Sequence, residues 1–86
     1  MRSVRFEPKA FEHVAYWLNT NPKLFKRAAE LLKECQRMPF EGKGKPEPLK
    51  GNLKGYWSRR LDDEHRLVYE VTDAEVVVHS LKGHYD

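Results

Sequence analysis

The chain reads as an α+β domain: an N-terminal strand, then a two-helix hairpin packed on one face of an antiparallel sheet, in the order β-α-α-β-β-β. Three observations predict this class. Two adjoining segments in the first half carry apolar residues at helical spacing. Three segments in the second half are short, rich in β-branched and aromatic residues, and alternate in polarity. The connections between those three are brief and polar, which suits hairpins and therefore antiparallel neighbours. With 86 residues, 40% of them apolar, the chain can bury one hydrophobic core, so residues 1–86 are taken as one domain.

Arg2 to Phe6 is the first strand, by its β-branched and aromatic alternation. Pro8 stands where a helix can begin, and Phe11, Val14, Ala15 and Leu18 recur at i, i+3, i+4 and i+7 as its apolar stripe. Asn19-Thr20-Asn21-Pro22 ends that helix and starts another, with Asn21 as N-cap and Pro22 at the first helical position. The second helix carries Phe25, Ala28, Leu31, Leu32 and Cys35 on one face and stops before Met38-Pro39. A Gly/Pro/Lys-rich loop follows from Phe40 to Asn52, with no regular structure expected. Three strands complete the chain: Tyr56–Leu61, His65–Val71 and Glu75–Leu81, joined through Asp62-Asp63-Glu64 and Thr72-Asp73-Ala74.

The register of the first hairpin follows from parity. Trp57, Leu61, Leu67, Tyr69 and Val71 are the candidate core residues of two adjacent strands, and all are odd-numbered. They share a face only if the hairpin loop has an odd length, which the three residues Asp62 to Glu64 provide. Arg60 then lies opposite Arg66, both on the face turned away from the helices. Like charges directly opposed destabilise a strand pair, so a bound anion is the natural reason to keep them.

Charge points the same way. The chain nets +3, yet the window from Lys43 to Arg60 holds six cations against the single acid Glu47. A basic segment in a nearly neutral frame suits a phosphate-binding surface; its plainer reading is a solvated loop of ordinary lysines. No apolar run approaches the ~20 residues of a membrane helix, and no secretory h-region opens the chain. Cys35 is the only cysteine, which rules out an internal disulfide and suits the cytoplasm. No His, Cys or acid set has metal-site spacing, no cofactor motif is present, and Gly42-Lys43-Gly44-Lys45 lacks the spacing of a P-loop. Cys35 falls on the apolar stripe of the second helix, as a core residue rather than a nucleophile.

RNA is cut by its own 2′-hydroxyl when a base removes that proton, a cation holds the phosphate and an acid protonates the departing 5′-oxygen. Glu47, fixed between Pro46 and Pro48, is the acid inside the basic window; otherwise it pairs with Lys45 or Lys50. Arg66 and Arg60 offer planar forks to phosphate, although Arg66 also shares its parity with Glu70. His84, with an intrinsic pKa near ~6.5, suits proton donation near neutrality. His13 reads as a helix-surface residue, and His65 and His79 as strand residues without an assigned role. Residue chemistry alone reaches a basic α+β domain suited to RNA.

The run Pro39-Phe40-Glu41-Gly42-Lys43-Gly44-Lys45-Pro46-Glu47-Pro48-Leu49-Lys50 resembles the loop of YoeB-type toxins of the RelE superfamily. So do Gly55-Tyr56-Trp57-Ser58-Arg59-Arg60, then Glu64-His65-Arg66-Leu67-Val68-Tyr69, and the ending His84-Tyr85. The resemblance implies a RelE-like fold and a ribosome-dependent, metal-independent messenger-RNA endoribonuclease that acts in the ribosomal A site. It also implies a YefM-like antitoxin as partner, and is compatible with a homodimer. By position it makes Glu47 the general base, Arg66 the phosphate-stabilising arginine and His84 the general acid, with Lys50, Arg59, Arg60 and Tyr85 lining the substrate site. Asp86 departs from the pattern, standing after His84-Tyr85 where the family commonly ends. Two other classes stay open. One is a non-catalytic relative of the same fold that binds a protein such as gyrase, which leaves the joint presence of Glu47, Arg66 and His84 without a reason. The other is a simple RNA-binding domain using Tyr56 and Trp57 as stacking platforms, although Trp57 has core parity.

Overall fold

The computed structural model describes residues 1–83. Strand β1 (Ser3–Phe6) leads into helix α1 (Pro8–Thr20) and helix α2 (Pro22–Cys35). After the loop come β2 (Glu47–Pro48), a 3-10 turn over Gly51–Leu53, β3 (Tyr56–Arg60), β4 (Arg66–Val71) and β5 (Glu75–Ser80). The strands form one sheet in the order β1-β5-β4-β3-β2, with the helical hairpin packed on one of its faces. The expected α+β architecture and helix-on-sheet packing are present.

Two features of the sheet go beyond the expectation. β1 pairs with β5 in parallel, Ser3 beside Glu75 through Phe6 beside Val78, so the sheet is mixed rather than wholly antiparallel. The alternation of four residues specifies a face but carries no information about strand direction. The loop from Phe40 to Asn52 is also not irregular throughout, because Glu47 and Pro48 add to the edge of β3 opposite Ser58 and Trp57. A proline is tolerated on such an edge, and two residues are too few to show a periodic pattern.

The helices start where the prolines put them. Asn21 accepts the Leu24 N–H through its side chain at 3.2 Å, which satisfies one of the donors left free at the start of α2. α2 buries Leu24, Ala28, Leu31, Leu32 and Cys35, with Phe25 half-buried at the margin. Burial holds the Cys35 thiol above its usual pKa, in keeping with a core residue. On α1 the stripe is rotated from the one expected. Ala10 and Trp17 are buried and Val14 packs beside them, while Phe11 is 65% and Leu18 52% exposed. Trp17 decides the rotation: it is the largest side chain on the helix, and its indole N–H donates to the Leu81 carbonyl at 2.8 Å. His13, expected on the helix surface, turns inward with it and accepts the Leu81 N–H on Nδ1 at 3.0 Å.

The predicted register of the β3–β4 hairpin is present, with Trp57 beside Tyr69, Arg59 beside Leu67 and Arg60 beside Arg66. Leu61, Leu67 and Tyr69 are buried against the helices, and Trp57 and Val71 pack at the margin. Asp62 closes the turn by accepting the Glu64 and His65 N–H groups at 2.8 and 2.7 Å. Between β4 and β5 the pairing shifts: Tyr69 lies beside Val78 but Val68 lies beside Ser80. The extra residue is His79. Such a bulge reverses the inside–outside alternation, and Leu81 therefore turns into the core with Val76 and Val78 instead of following Val77 to the other face.

Candidate active site

The face of the sheet opposite the helices carries the site. β2 holds Glu47 next to Ser58 on β3, and β4 begins at Arg66, two residue pairs further along. The Arg66 side chain reaches back across the strands. One of its terminal nitrogens donates to Glu47 Oε1 at 3.1 Å and to the Ser58 hydroxyl at 3.3 Å. The Arg66 side chain is only 11% exposed whereas that of Glu47 is 57% exposed. The carboxylate is thus open to an incoming group and the guanidinium is held beneath it. Arg66 Nε is buried and has no hydrogen-bond partner among the described residues. A buried donor left unpaired is costly, and one on a cation invites an anionic acceptor. Arg60 is exposed beside Arg66, its backbone N–H fixed to the Gly44 carbonyl at 2.7 Å, so two cations border the same spot.

The loop that brings Glu47 there is shaped at two points. Lys45 adopts a left-handed backbone, φ 52°, immediately before Pro46-Glu47-Pro48. That conformation costs a non-glycine residue roughly 1–2 kcal/mol, which the surrounding hydrogen bonds must offset. Upstream, Gly42 has φ 117° and lies so close to Glu34 that a Cβ would stand 1.9 Å from its carboxylate oxygen. The positive φ strains any side chain there, and a Cβ would also push the Glu34 carboxylate off Arg59 and the Lys43 N–H.

Arg59 departs from the role expected of it. Its odd parity, shared with Trp57 and Leu61, sends it to the helix side of the sheet, where it is 0% exposed. Its Nε donates to the Tyr69 hydroxyl at 3.2 Å; one terminal nitrogen donates to Glu34 and the Lys43 carbonyl, the other to the carbonyls of Met38 and Glu41. Those bonds occupy all the N–H donors a guanidinium has. Arg59 therefore does not line the open face; it pins the loop from Met38 to Lys43 onto the core. Tyr69 completes this buried network by donating to the Pro39 carbonyl at 2.6 Å, and burial pushes its phenol up to about 12.

Of the remaining residues singled out in the sequence, Lys50 is exposed at the N-cap of the 3-10 turn, three positions beyond Glu47. Arg66 takes Glu47 rather than Glu70 as its carboxylate, and Glu70 pairs with His79 at 3.2 Å. His84 and Tyr85 lie outside the described residues, as does Asp86. The chain reaches that boundary beside the site, because the Gly83 carbonyl accepts the Arg66 N–H at 3.0 Å.

Three groups of contacts had not been assigned a role from sequence. Ser58, buried beneath Arg66, has the even parity of Arg60 and could have been placed by the same rule. The Tyr56 ring stacks on His79, centroids 4.4 Å apart, across the strand between them. His65 accepts the Gly83 N–H on Nδ1 at 2.9 Å, a tertiary contact with no local signature.

Comparison with known proteins agrees with the fold described above. The family described as YoeB-like toxin of bacterial type II toxin-antitoxin system matches residues 6–85. The chain is similar to Toxin RelK of Mycobacterium tuberculosis, 54% identical over 85 residues, which cover 99% of this chain and 100% of that protein. It is similar in structure to the YoeB dimer from Staphylococcus aureus, with a TM-score of 0.90 and 46% identity, covering 98% of each chain. It also resembles the toxin in the YoeB-YefM complex from Staphylococcus aureus, with a TM-score of 0.89, 48% identity and 99% of each chain covered. With the family matched over nearly all its length, this chain belongs to the YoeB-like toxins of bacterial type II toxin–antitoxin systems.

Proposed function

We propose that the open face of the sheet is the active site of a ribosome-dependent endoribonuclease that cuts messenger RNA in the A site without a metal. The observation that carries this reading is the Glu47–Arg66–Ser58 cluster beside Arg60, with an Arg66 Nε that has no partner among the described residues. Glu47 removes the proton from a ribose 2′-hydroxyl, and the 2′-oxygen attacks the adjoining phosphorus. The bond to the 5′-oxygen breaks, leaving a 2′,3′-cyclic phosphate, while Arg66 balances the charge that builds on the non-bridging oxygens. His84 gives its proton to the departing 5′-oxygen. Support for its placement comes from Gly83, the preceding residue, which is hydrogen-bonded to Arg66. Lys50, Arg60 and Tyr85 hold the RNA around the cut. Arginine supplies the charge stabilisation that a metal would otherwise provide.

The same surface, basic and on a protein without a membrane-crossing helix among its described residues, suits a cytoplasmic toxin. A YefM-like antitoxin is its partner, and it pairs with a second copy of itself in the manner of the Staphylococcus aureus relative. Primer extension on messages bound to translating ribosomes tests the reading. Glu47→Gln, Arg66→Ala and His84→Gln should each cut cleavage by roughly 10²–10⁴-fold, with melting curves that stay cooperative. Losses below about tenfold at all three positions would remove the assignment. On preformed ribosome complexes whose magnesium is held constant, a zinc-selective chelator should leave the rate unchanged; strong inhibition would argue for a metal.

A further inference from the structure

β5 ends at Ser80, yet the chain does not leave the sheet freely. Both backbone groups of Leu81 are held by side chains of α1: its N–H donates to His13 Nδ1 at 3.0 Å, and its carbonyl accepts from Trp17 Nε1 at 2.8 Å. Both backbone groups of Gly83 are held at the start of β4: its N–H donates to His65 Nδ1 at 2.9 Å, and its carbonyl accepts the Arg66 N–H at 3.0 Å. Between them, Lys82 Nζ lies 4.2 Å from the centroid of the Tyr16 ring. The holders also brace each other, since the His65 and Trp17 rings meet edge-on with centroids 4.6 Å apart.

Two histidines that both accept backbone N–H groups through Nδ1 are an unusual choice for mere packing. An acceptor Nδ1 requires the neutral ring with its proton on Nε2. Gly83 has φ 101°, a conformation that favours glycine, with nothing within 4 Å of where a Cβ would stand. The glycine therefore serves to turn the chain at this point rather than to make room. Every backbone donor and acceptor at positions 81 and 83 is thus held in place.

We infer that His65 and His13, together with Trp17, form a clamp that fixes the chain from Leu81 to Gly83 beside Arg66. The two histidines are positioning residues for cleavage. This rests on the reading of Glu47, Arg66 and His84 as the reacting groups. His65 matters more, because it holds the residue next to His84.

The test is ribosome-dependent cleavage under kcat and KM conditions, with melting curves for every variant. His65→Ala should lower kcat by about 10–100-fold, the scale on which a displacement of roughly 1 Å affects a reacting group. KM should change less than kcat, since Lys50 and Arg60 are untouched and of the residues that hold the RNA only Tyr85 follows the clamp. His65→Asn should recover most of the rate, because its Oδ1 occupies the place of Nδ1 and accepts the Gly83 N–H. His65→Gln, whose oxygen falls where Nε2 was, should not. His13→Asn and His13→Ala should repeat the pattern at smaller amplitude. If His65→Ala fails to fold, the Asn and Gln pair decides the matter: equal rates for the two overturn the clamp. Near-normal kcat in a folded His65→Ala overturns it as well. Arg66→Ala and Glu47→Gln run alongside, so that full cleavage by those two identifies failure of the active-site reading, which takes the clamp with it. Their inactivity beside a fully active His65→Ala identifies failure of the clamp alone.

Discussion

Arg59 and Arg66 sit on facing strands of one hairpin, on neighbouring rungs, yet the sheet sends them to opposite sides and to opposite fates. Arg59 lies among the core residues with every N–H donor bonded. Arg66 lies on the open face with one nitrogen bonded to Glu47 and Ser58 and, among the described residues, no partner for its buried Nε. The saturated guanidinium organises the protein's own loop; the unsaturated one has capacity for something else. Residue type and local charge make the two look alike. What separates them is which donors remain once the chain has folded.

The largest effect that would break this contrast is at Arg59. Arg59→Leu leaves Glu34 with only the Lys43 N–H, removes the donor to the Tyr69 hydroxyl and frees three carbonyls, so it should cost roughly 3–5 kcal/mol, as removal of one member of a buried ion pair does. A melting temperature lowered by less than about 5 °C would show that the network is dispensable. Arg59→Lys should recover little, because an ammonium has three donors and no fork. Arg66→Ala should behave in the opposite way: a change in stability within about 1 kcal/mol, since it also relieves the like charge beside Arg60, together with the loss of cleavage already described. Urea titration of the two variants side by side would settle whether the division holds, and equal destabilisation would dissolve it.

The smallest expected effects are in pH dependence, and they sharpen the contrast between the two sides. The Arg59 guanidinium beside Glu34, with the Lys43 N–H, holds that carboxyl below the usual carboxylate range. As the pH falls, the unfolded chain protonates Glu34 before the folded protein does, so the stabilisation present above its ordinary value of 4.5 is lost through the acid limb. His13 adds an earlier limb. Burial, then Lys9 and Lys82, lowers its pKa below 6.5 and favours the neutral ring in the folded state. Below that pH the unfolded chain takes up a proton that the folded protein resists, and stability declines. Thermal melts from neutral to acid pH should thus fall in two stages, and His13→Asn should abolish the first. A profile flat down to the carboxylate range would contradict the buried, accepting role of His13.

Parity carried much of this fold in the sequence. Odd-numbered Trp57, Leu61, Leu67 and Tyr69 and the opposed Arg60 and Arg66 follow from a three-residue turn and one apolar face. Arg59 obeys the same rule, but its charge and its place in a basic run argued for the surface. Only the tertiary network that surrounds it makes burial tolerable, and its partners at Glu34, Met38, Glu41 and Lys43 are remote in sequence. The stripe on α1 was misplaced because Phe11, Ala15 and Leu18 fit helical spacing as well as Ala10, Val14 and Trp17 do. Choosing between them required knowing that the Trp17 indole has an acceptor in Leu81. Glu47 and Arg66 were recognisable as chemistry, and Ser58 was within reach of the parity rule, whereas the contacts of His65 and the bulge at His79 exist only in three dimensions.

The parallel pairing of β1 with β5 has a consequence for how the chain is made. Its partners, Ser3 with Glu75 through Phe6 with Val78, lie near opposite ends of the described sequence. A nascent chain leaving the exit tunnel can form α1 and α2 early, since their contacts are local. The surface that buries Leu24, Leu31 and Leu32 arrives only with the last strands. Closing so long a loop is slow, and pairings of high sequence separation delay the folding transition. During translation the helical hairpin therefore waits with its apolar side uncovered, open to holdases and proteases. The Glu47–Ser58–Arg66 cluster likewise comes together only once β2, β3 and β4 have emerged, later than either helix, so its geometry is among the last things the folding chain acquires.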